Sequence, residues 1–119
     1  MNYITFSENW DKLRAPRFTT IRSYRREKEA HYRRLIGSRF QIRVASGDTT
    51  YRMLGTATLL SVRVVRSGDL PAEEIRTDVM LRGEPSRIWE ARLTMMGKAL
   101  RLEFSNHVDT GVPAREASP

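Results

Sequence analysis

Residues 50–66 read TYRMLGTATLLSVRVVR, and the fold turns on them. Thr58, Leu60, Val62 and Val64 alternate with Leu59, Ser61, Arg63 and Val65, and a period of two is the mark of a strand. Thr50 to Met53 have the same β-forming character, so Gly55 predicts one long strand that bends or bulges there. Both of its faces are partly apolar, as in a sheet that is closed or covered.

Outward from this strand the chain alternates short elements. On the C-terminal side, Asp69 and Pro71 open a predicted helix over Ala72 to Leu81, with Ile75 and Val79 four apart and Gly83 as its stop. Ser86 caps a second helix, in which Trp89, Leu93 and Met96 share a face before Gly97. ALRLEF, Ala99 to Phe104, alternates again and points Leu100, Leu102 and Phe104 inward.

On the N-terminal side, RFQIRV (Arg39 to Val44) is a strand with Phe40, Ile42 and Val44 on one face, followed by the turn Ser46 to Asp48. Tyr24 to Leu35 holds no breaker and carries the Glu29–Arg33 pair, which predicts a short helix ending by Gly37. FTTI (Phe18 to Ile21) and YITF (Tyr3 to Phe6) are extended. Between them Ser7 is placed to cap a helix over Glu8 to Arg14 that Pro16 ends.

These elements define an α+β domain: about five mainly antiparallel strands with short helices inserted between them, forming a small barrel or curved sheet. With 119 residues there is room for one core, expected over residues 1–106. Residues 107–119 lose periodicity and read as a flexible C-terminal tail. No repeat, P-loop, nucleophile elbow or dinucleotide fingerprint is present.

The absence of cysteine removes disulfides, thiolate metal sites and cysteine nucleophiles. His31 and His107 have no neighbouring ligand set, so neither a metal nor another cofactor is expected. The opening MNYITFSENW does not resemble a signal peptide, and no apolar run reaches the length of a membrane span. A cytoplasmic protein without a membrane partner is the expectation.

The formal net charge is +7, and most of it lies in one stretch. RFTTIRSYRREKEAHYRR, residues 17–34, has seven basic residues against two acidic ones. Such a field favours anionic partners, nucleic acid first among them. Tyr24 and Tyr32, interleaved with Arg25, Arg26, Arg33 and Arg34, can stack unpaired bases while the arginines hold phosphates; the plainer reading is a solvated helix with its tyrosines packed on the sheet. Thr19, Thr20 and Arg22 offer hydroxyls and a guanidinium to a phosphate or base edge, unless the threonines are simply strand formers. Trp10 and Trp89 fit a core role better than a stacking one.

The order ITF, a Trp and a Lys in the first helix, FTTIR, Tyr32 and Gly37 before a strand, LGTATL, Asp78, Trp89 and a closing LEF resembles the ASCH domain family. The resemblance spans residues 2 to 106 and implies a PUA-like β-barrel with a cleft, associated mainly with RNA binding. Some members are enzymes, including ribonucleases and 4-acetylcytidine amidohydrolases, which use a lysine, a threonine and a glutamate. On that likeness Thr20 is the candidate catalytic residue, and Arg17 falls where the lysine would be. A guanidinium there holds an anion but is no general base. Glu73, Glu74, Glu84 and Glu90 are the carboxylates in the region of the glutamate, with nothing to select among them.

The expected function is RNA binding through Arg17, Thr19, Thr20, Arg22, Tyr24, Arg25, Arg26, Tyr32, Arg33 and Arg34. An enzyme acting on RNA or a modified nucleoside is one alternative. A protein interaction domain, with the basic helix on an acidic partner, is the other.

Overall fold

A computed structural model describes residues 2–47 and 49–107. Its centre is a five-stranded sheet in the order β1-β3-β4-β7-β2. The strands are β1 (Asn2–Phe6), β2 (Arg17–Ser23), β3 (Arg39–Ala45), β4 (Tyr51–Arg66) and β7 (Lys98–Asn106), and a separate pair is formed by β5 (Met80–Leu81) and β6 (Glu84–Pro85). The sheet is mixed, because β1 runs parallel to β3 while every other pairing in it is antiparallel.

The run at 50–66 is one continuous strand, β4, lying against β3 on one side and β7 on the other. Its register against β3 shifts beside Gly55, where Gly55 faces Ile42 and Met53 faces Arg43. Leu54 is the extra residue of that bulge, and a second shift falls between Leu59 and Ser61. Both add local twist to a long strand. Phe40, Ile42 and Val44 of β3 and Leu100, Leu102 and Phe104 of β7 are buried on the inner face as expected, whereas in β4 the second shift leaves Leu59 and Val62, which strict alternation sends to opposite faces, both buried.

That core is aromatic at its centre. Phe104 stacks on Phe18 with ring centroids 5.2 Å apart and meets Phe40 edge-on at 5.5 Å. Tyr32 from α1 (Arg26–Arg34) lies over Phe40 at 6.2 Å and covers this end of the inner face.

The expected closed barrel is not what forms. The sheet curls until Phe6 of β1 and Phe18 of β2 touch edge-on at 6.1 Å. Yet β1 and β2 remain the two edges of an open sheet. Along its middle, two outward backbone groups of β2 are taken by side chains instead: Ile21 N–H donates to Asp78 Oδ2, and Thr19 C=O accepts from Lys12 Nζ. Side chains on an edge both satisfy its backbone and block the approach of another strand.

Two helix boundaries are also corrected. Only Asp11–Arg14 is helical after β1, as a 3-10 turn, and Ser7 forms no cap. Helix α2 spans Ala72–Asp78 and stops before Leu81, because Met80 and Leu81 pair with Pro85 and Glu84. The intervening turn needs positive φ at Arg82 (54°) and Gly83 (82°), and both N–H groups donate to the Asp11 carboxylate at 3.0 and 2.9 Å. A left-handed arginine carries strain that those two bonds offset. Helix α3 (Arg87–Thr94) begins as expected, with the Ser86 hydroxyl accepting from Trp89 N–H.

His107 is tied to β4 through Thr56 O and Thr58. The rest of the expected tail, like Asp48 in the 46–48 turn, lies outside the described residues. No described helix is long and apolar enough to cross a membrane.

Candidate functional site

At the free edge of β2 the 3-10 turn, α2 and α3 surround a cavity of about 350 Å³. Phe6, Trp10 and Trp89 give it aromatic walls, Thr20 and Arg22 enter from β2, and Lys12 and Asp78 form its charged side. Lys28, in the first turn of α1, stands at the same opening. The volume and the mixed lining suit a small organic ligand.

Each wall has a local cause. Thr20 and Arg22 alternate with Ile21 along β2, so both point to the face on which β2 pairs with β7 at Leu102 and Leu100. Trp10 and Trp89 meet edge-to-face at 6.0 Å, joining the 3-10 turn to α3. Lys12 lies one residue beyond Asp11, whose carboxylate anchors the Arg82–Gly83 turn. That anchor fixes the 3-10 turn against the β5–β6 pair and so aims Lys12 at β2.

The polar network is nearly closed. Lys12 Nζ lies 3.0 Å from Asp78 Oδ1, with the two side chains only 5% and 4% exposed. Asp78 also accepts from the Thr19 hydroxyl at 3.3 Å and from Ile21 N–H. Burial holds the Lys12 ammonium below its ordinary pKa, while the attraction and hydrogen bond of Asp78 pull the other way. Asp78 sits in the last turn of α2, where the helix dipole disfavours an anion. Two neutral donors and a buried cation offset that cost.

Arg22 is arranged differently. Its Nε–H donates to Thr20 Oγ1 at 3.1 Å, and its guanidinium lies 4.8 Å from the centroid of the Phe6 ring. Burial lowers its pKa from the usual arginine value, opposed by Tyr32 and Asp78, yet an arginine stays charged. It is a fixed cation with planar stacking surface inside a cavity.

The residues singled out in the sequence divide into three groups. Thr20 and Arg22 line the cavity, and Thr19 adjoins it through Asp78. Arg17 points to the other side of β2, exposed and 2.7 Å from Glu103, and it takes no part in the cavity. Tyr24, Tyr32 and Arg33 are engaged structurally: Tyr24 donates to Glu29 and lies under the Lys98 ammonium, Tyr32 packs on Phe40, and Arg33 holds Glu29 and Val62 O. Arg25, Arg26 and Arg34 are exposed.

The glutamates fall elsewhere. Glu74 pairs with Arg101 and Glu90 with Arg76, while Glu73 and Glu84 are exposed. The carboxylate that reaches the cavity is Asp78, and its partner is Lys12 rather than a residue at position 17. Neither stood out as a site residue in the sequence. The one available signal was their presence in the ordered pattern of the ASCH likeness, a Lys in the first helix and an Asp in a later one.

Fold and cavity together define a small α+β domain, an open curled sheet with a cationic, aromatic-walled pocket at one edge. No family model, no curated protein and no solved structure matches the chain. Among the described residues no group of three or more His, Asp or Glu side chains comes together to hold a metal ion.

Proposed function

We propose that the chain is an ASCH-type, PUA-like module that binds single-stranded RNA in the cytoplasm and seats one nucleotide in the cavity beside β2. The observation that carries this reading is Arg22: a guanidinium placed over the Phe6 ring and tied to Thr20, in a space walled by Trp10 and Trp89. Unpaired bases are recognised by stacking on aromatic rings and guanidinium planes, with hydrogen bonds to their edges. Lys28 at the opening, and Arg25 and Arg26 beside it at the start of α1, supply positive charge for the adjoining phosphates.

The alternative is a hydrolase acting on a modified nucleoside, and buried Lys12 with its lowered pKa is the feature that favours it. The hydrogen bonds favour binding instead. Lys12 spends its donors on Asp78 and Thr19 O, and the Thr20 oxygen accepts from Arg22 rather than facing a base. A measurable turnover of acetylated cytidine or short RNA, abolished by Thr20→Ala, would reverse this preference.

The chain's two tryptophans both line the cavity, so their emission reports its occupancy directly. Titration with a short oligouridine at low salt is expected to change that emission saturably. Tight binding with unchanged emission would place the RNA elsewhere, and no binding of any RNA would sink the reading and turn attention to an acidic protein partner.

A further inference from the structure

The outer face of the sheet carries a feature that the cavity does not use. Tyr3 of β1, Arg43 of β3 and Tyr51 of β4 form a diagonal row across three adjacent strands, since Tyr3 stands opposite Gln41 and Tyr51 opposite Ala45, two residues to either side of Arg43. The Arg43 guanidinium lies 4.5 Å from the centroid of each tyrosine ring. Nε and Nη2 of Arg43 both donate to Thr5 Oγ1, at 3.3 and 3.2 Å. The arginine is pinned, and it holds both rings.

Those rings are not buried by the arrangement. Tyr3 is 49% and Tyr51 51% exposed, and Met53, directly opposite Arg43, is 46% exposed. The same face continues along the strands with Gln41, Thr56 and Thr58 and with the exposed Arg39 and Arg63. Its one strand-borne carboxylate among the described residues is Glu103, which is occupied by Arg17. Half-exposed aromatic rings on a sheet, interleaved with arginines and amide or hydroxyl groups and nearly free of acid, match the chemistry of single-stranded nucleic acid: bases on the rings, phosphates on the cations. A protein partner would call for a larger apolar patch than two rings and a methionine.

We propose that the outer face of β1, β3 and β4 is a second single-stranded RNA surface, on which bases stack against Tyr3 and Tyr51 beside the fixed guanidinium of Arg43. It shares with the proposed function the assumption of an RNA partner, but its stacking rings and its guanidinium are not those of the cavity. Thr5 belongs to both, binding Arg43 with its hydroxyl while lining the cavity, so a strand long enough can engage the two surfaces together and gain from their linkage.

The test compares the affinity of the full chain for oligouridine of increasing length with that of Tyr3→Ser/Tyr51→Ser. Tryptophan emission monitors the cavity in parallel. Loss of two stacking platforms is expected to weaken binding of the longer oligomers about tenfold or more, with the emission change on binding a mononucleotide retained. Tyr3→Phe/Tyr51→Phe should bind like the parent, because stacking needs the ring and not the hydroxyl. Should the serine variant unfold, Tyr3→Leu/Tyr51→Leu keeps the bulk and removes the ring, with the same loss expected. Unchanged affinity for long oligomers in a folded serine or leucine variant overturns the proposal. A silent cavity combined with a tyrosine-dependent affinity would leave this surface standing and the cavity reading refuted.

Discussion

Lys12 and Asp78 meet at 3.0 Å along the free edge of β2, the ammonium on Thr19 C=O and the carboxylate on Ile21 N–H. The pair therefore does two things at once. It bonds to the outer side of β2, where no further strand pairs, and it forms the charged wall of the cavity. Removing one partner leaves the other charge buried and the strand edge unsatisfied, so Lys12→Met is expected to cost about 3–5 kcal/mol of folding stability. Urea denaturation reads this. Lys12→Met/Asp78→Leu should recover part of the loss, and a single variant as stable as the parent would show that the pair does not hold the edge.

Burial also displaces the titration of Lys12. Its folded-state pKa is below the ordinary lysine value of about 10.4. The unfolded chain thus binds more protons in the window between the two values, and the contribution of Lys12 to stability rises with pH across that window. The chain has three lysines, Lys12, Lys28 and Lys98, so their side-chain resonances can be assigned by substitution. A Lys12 midpoint at or above the ordinary value would contradict this account of its burial.

Phe104 is fully buried between Phe18 and Phe40 and belongs to β7, which pairs with both β4 and β2. Phe104→Ala is expected to destabilise the domain by about 3–5 kcal/mol through lost contacts and a residual cavity. A loss below about 1 kcal/mol by the same denaturation assay would mean that this centre is not packed as described.

Arg25, Arg26, Arg33 and Arg34 of the basic segment are all exposed, but it is expected to act through the three whose guanidinium groups are not committed within the fold. Arg33 is held by Glu29 and Val62 O, which leaves Arg25, Arg26 and Arg34 for phosphates. Replacing those three by serine should flatten the dependence of log affinity for single-stranded RNA on log salt by about 2. Replacing Arg33 alone should instead lower stability. A salt dependence unaltered by the triple change would make α1 a solvated flank.

Much of this was legible in the sequence because it is local. Alternation fixed β3, β4 and β7, Gly55 marked the bulge of β4, and Ser86 marked the start of α3. Thr20 and Arg22 reached the cavity because a period of two sends both to one face. What stayed hidden was nonlocal. Lys12 in a four-residue turn and Asp78 at the end of a short helix each look like ordinary surface charges until the curl of the sheet brings the β2 edge between them. The same pair explains why a barrel was expected and an open sheet forms: strand periodicity says nothing about what satisfies the last edge. Helix α2 was overextended because Ile75 and Val79 keep helical spacing up to a turn whose geometry is set by Asp11, far away in the sequence.

The central claim is that Arg22 and the aromatic walls form a nucleotide seat, and its most direct test is the tryptophan emission of Arg22→Gln titrated with the four ribonucleoside 5′-monophosphates. The parent should respond saturably to at least one of them. Arg22→Gln should lose that response by about tenfold or more in affinity, as expected for a desolvated charged contact, while Arg17→Gln, which removes the same charge outside the cavity, should keep it. A parent blind to all four, or an Arg22→Gln variant that binds as the parent does, would contradict the account.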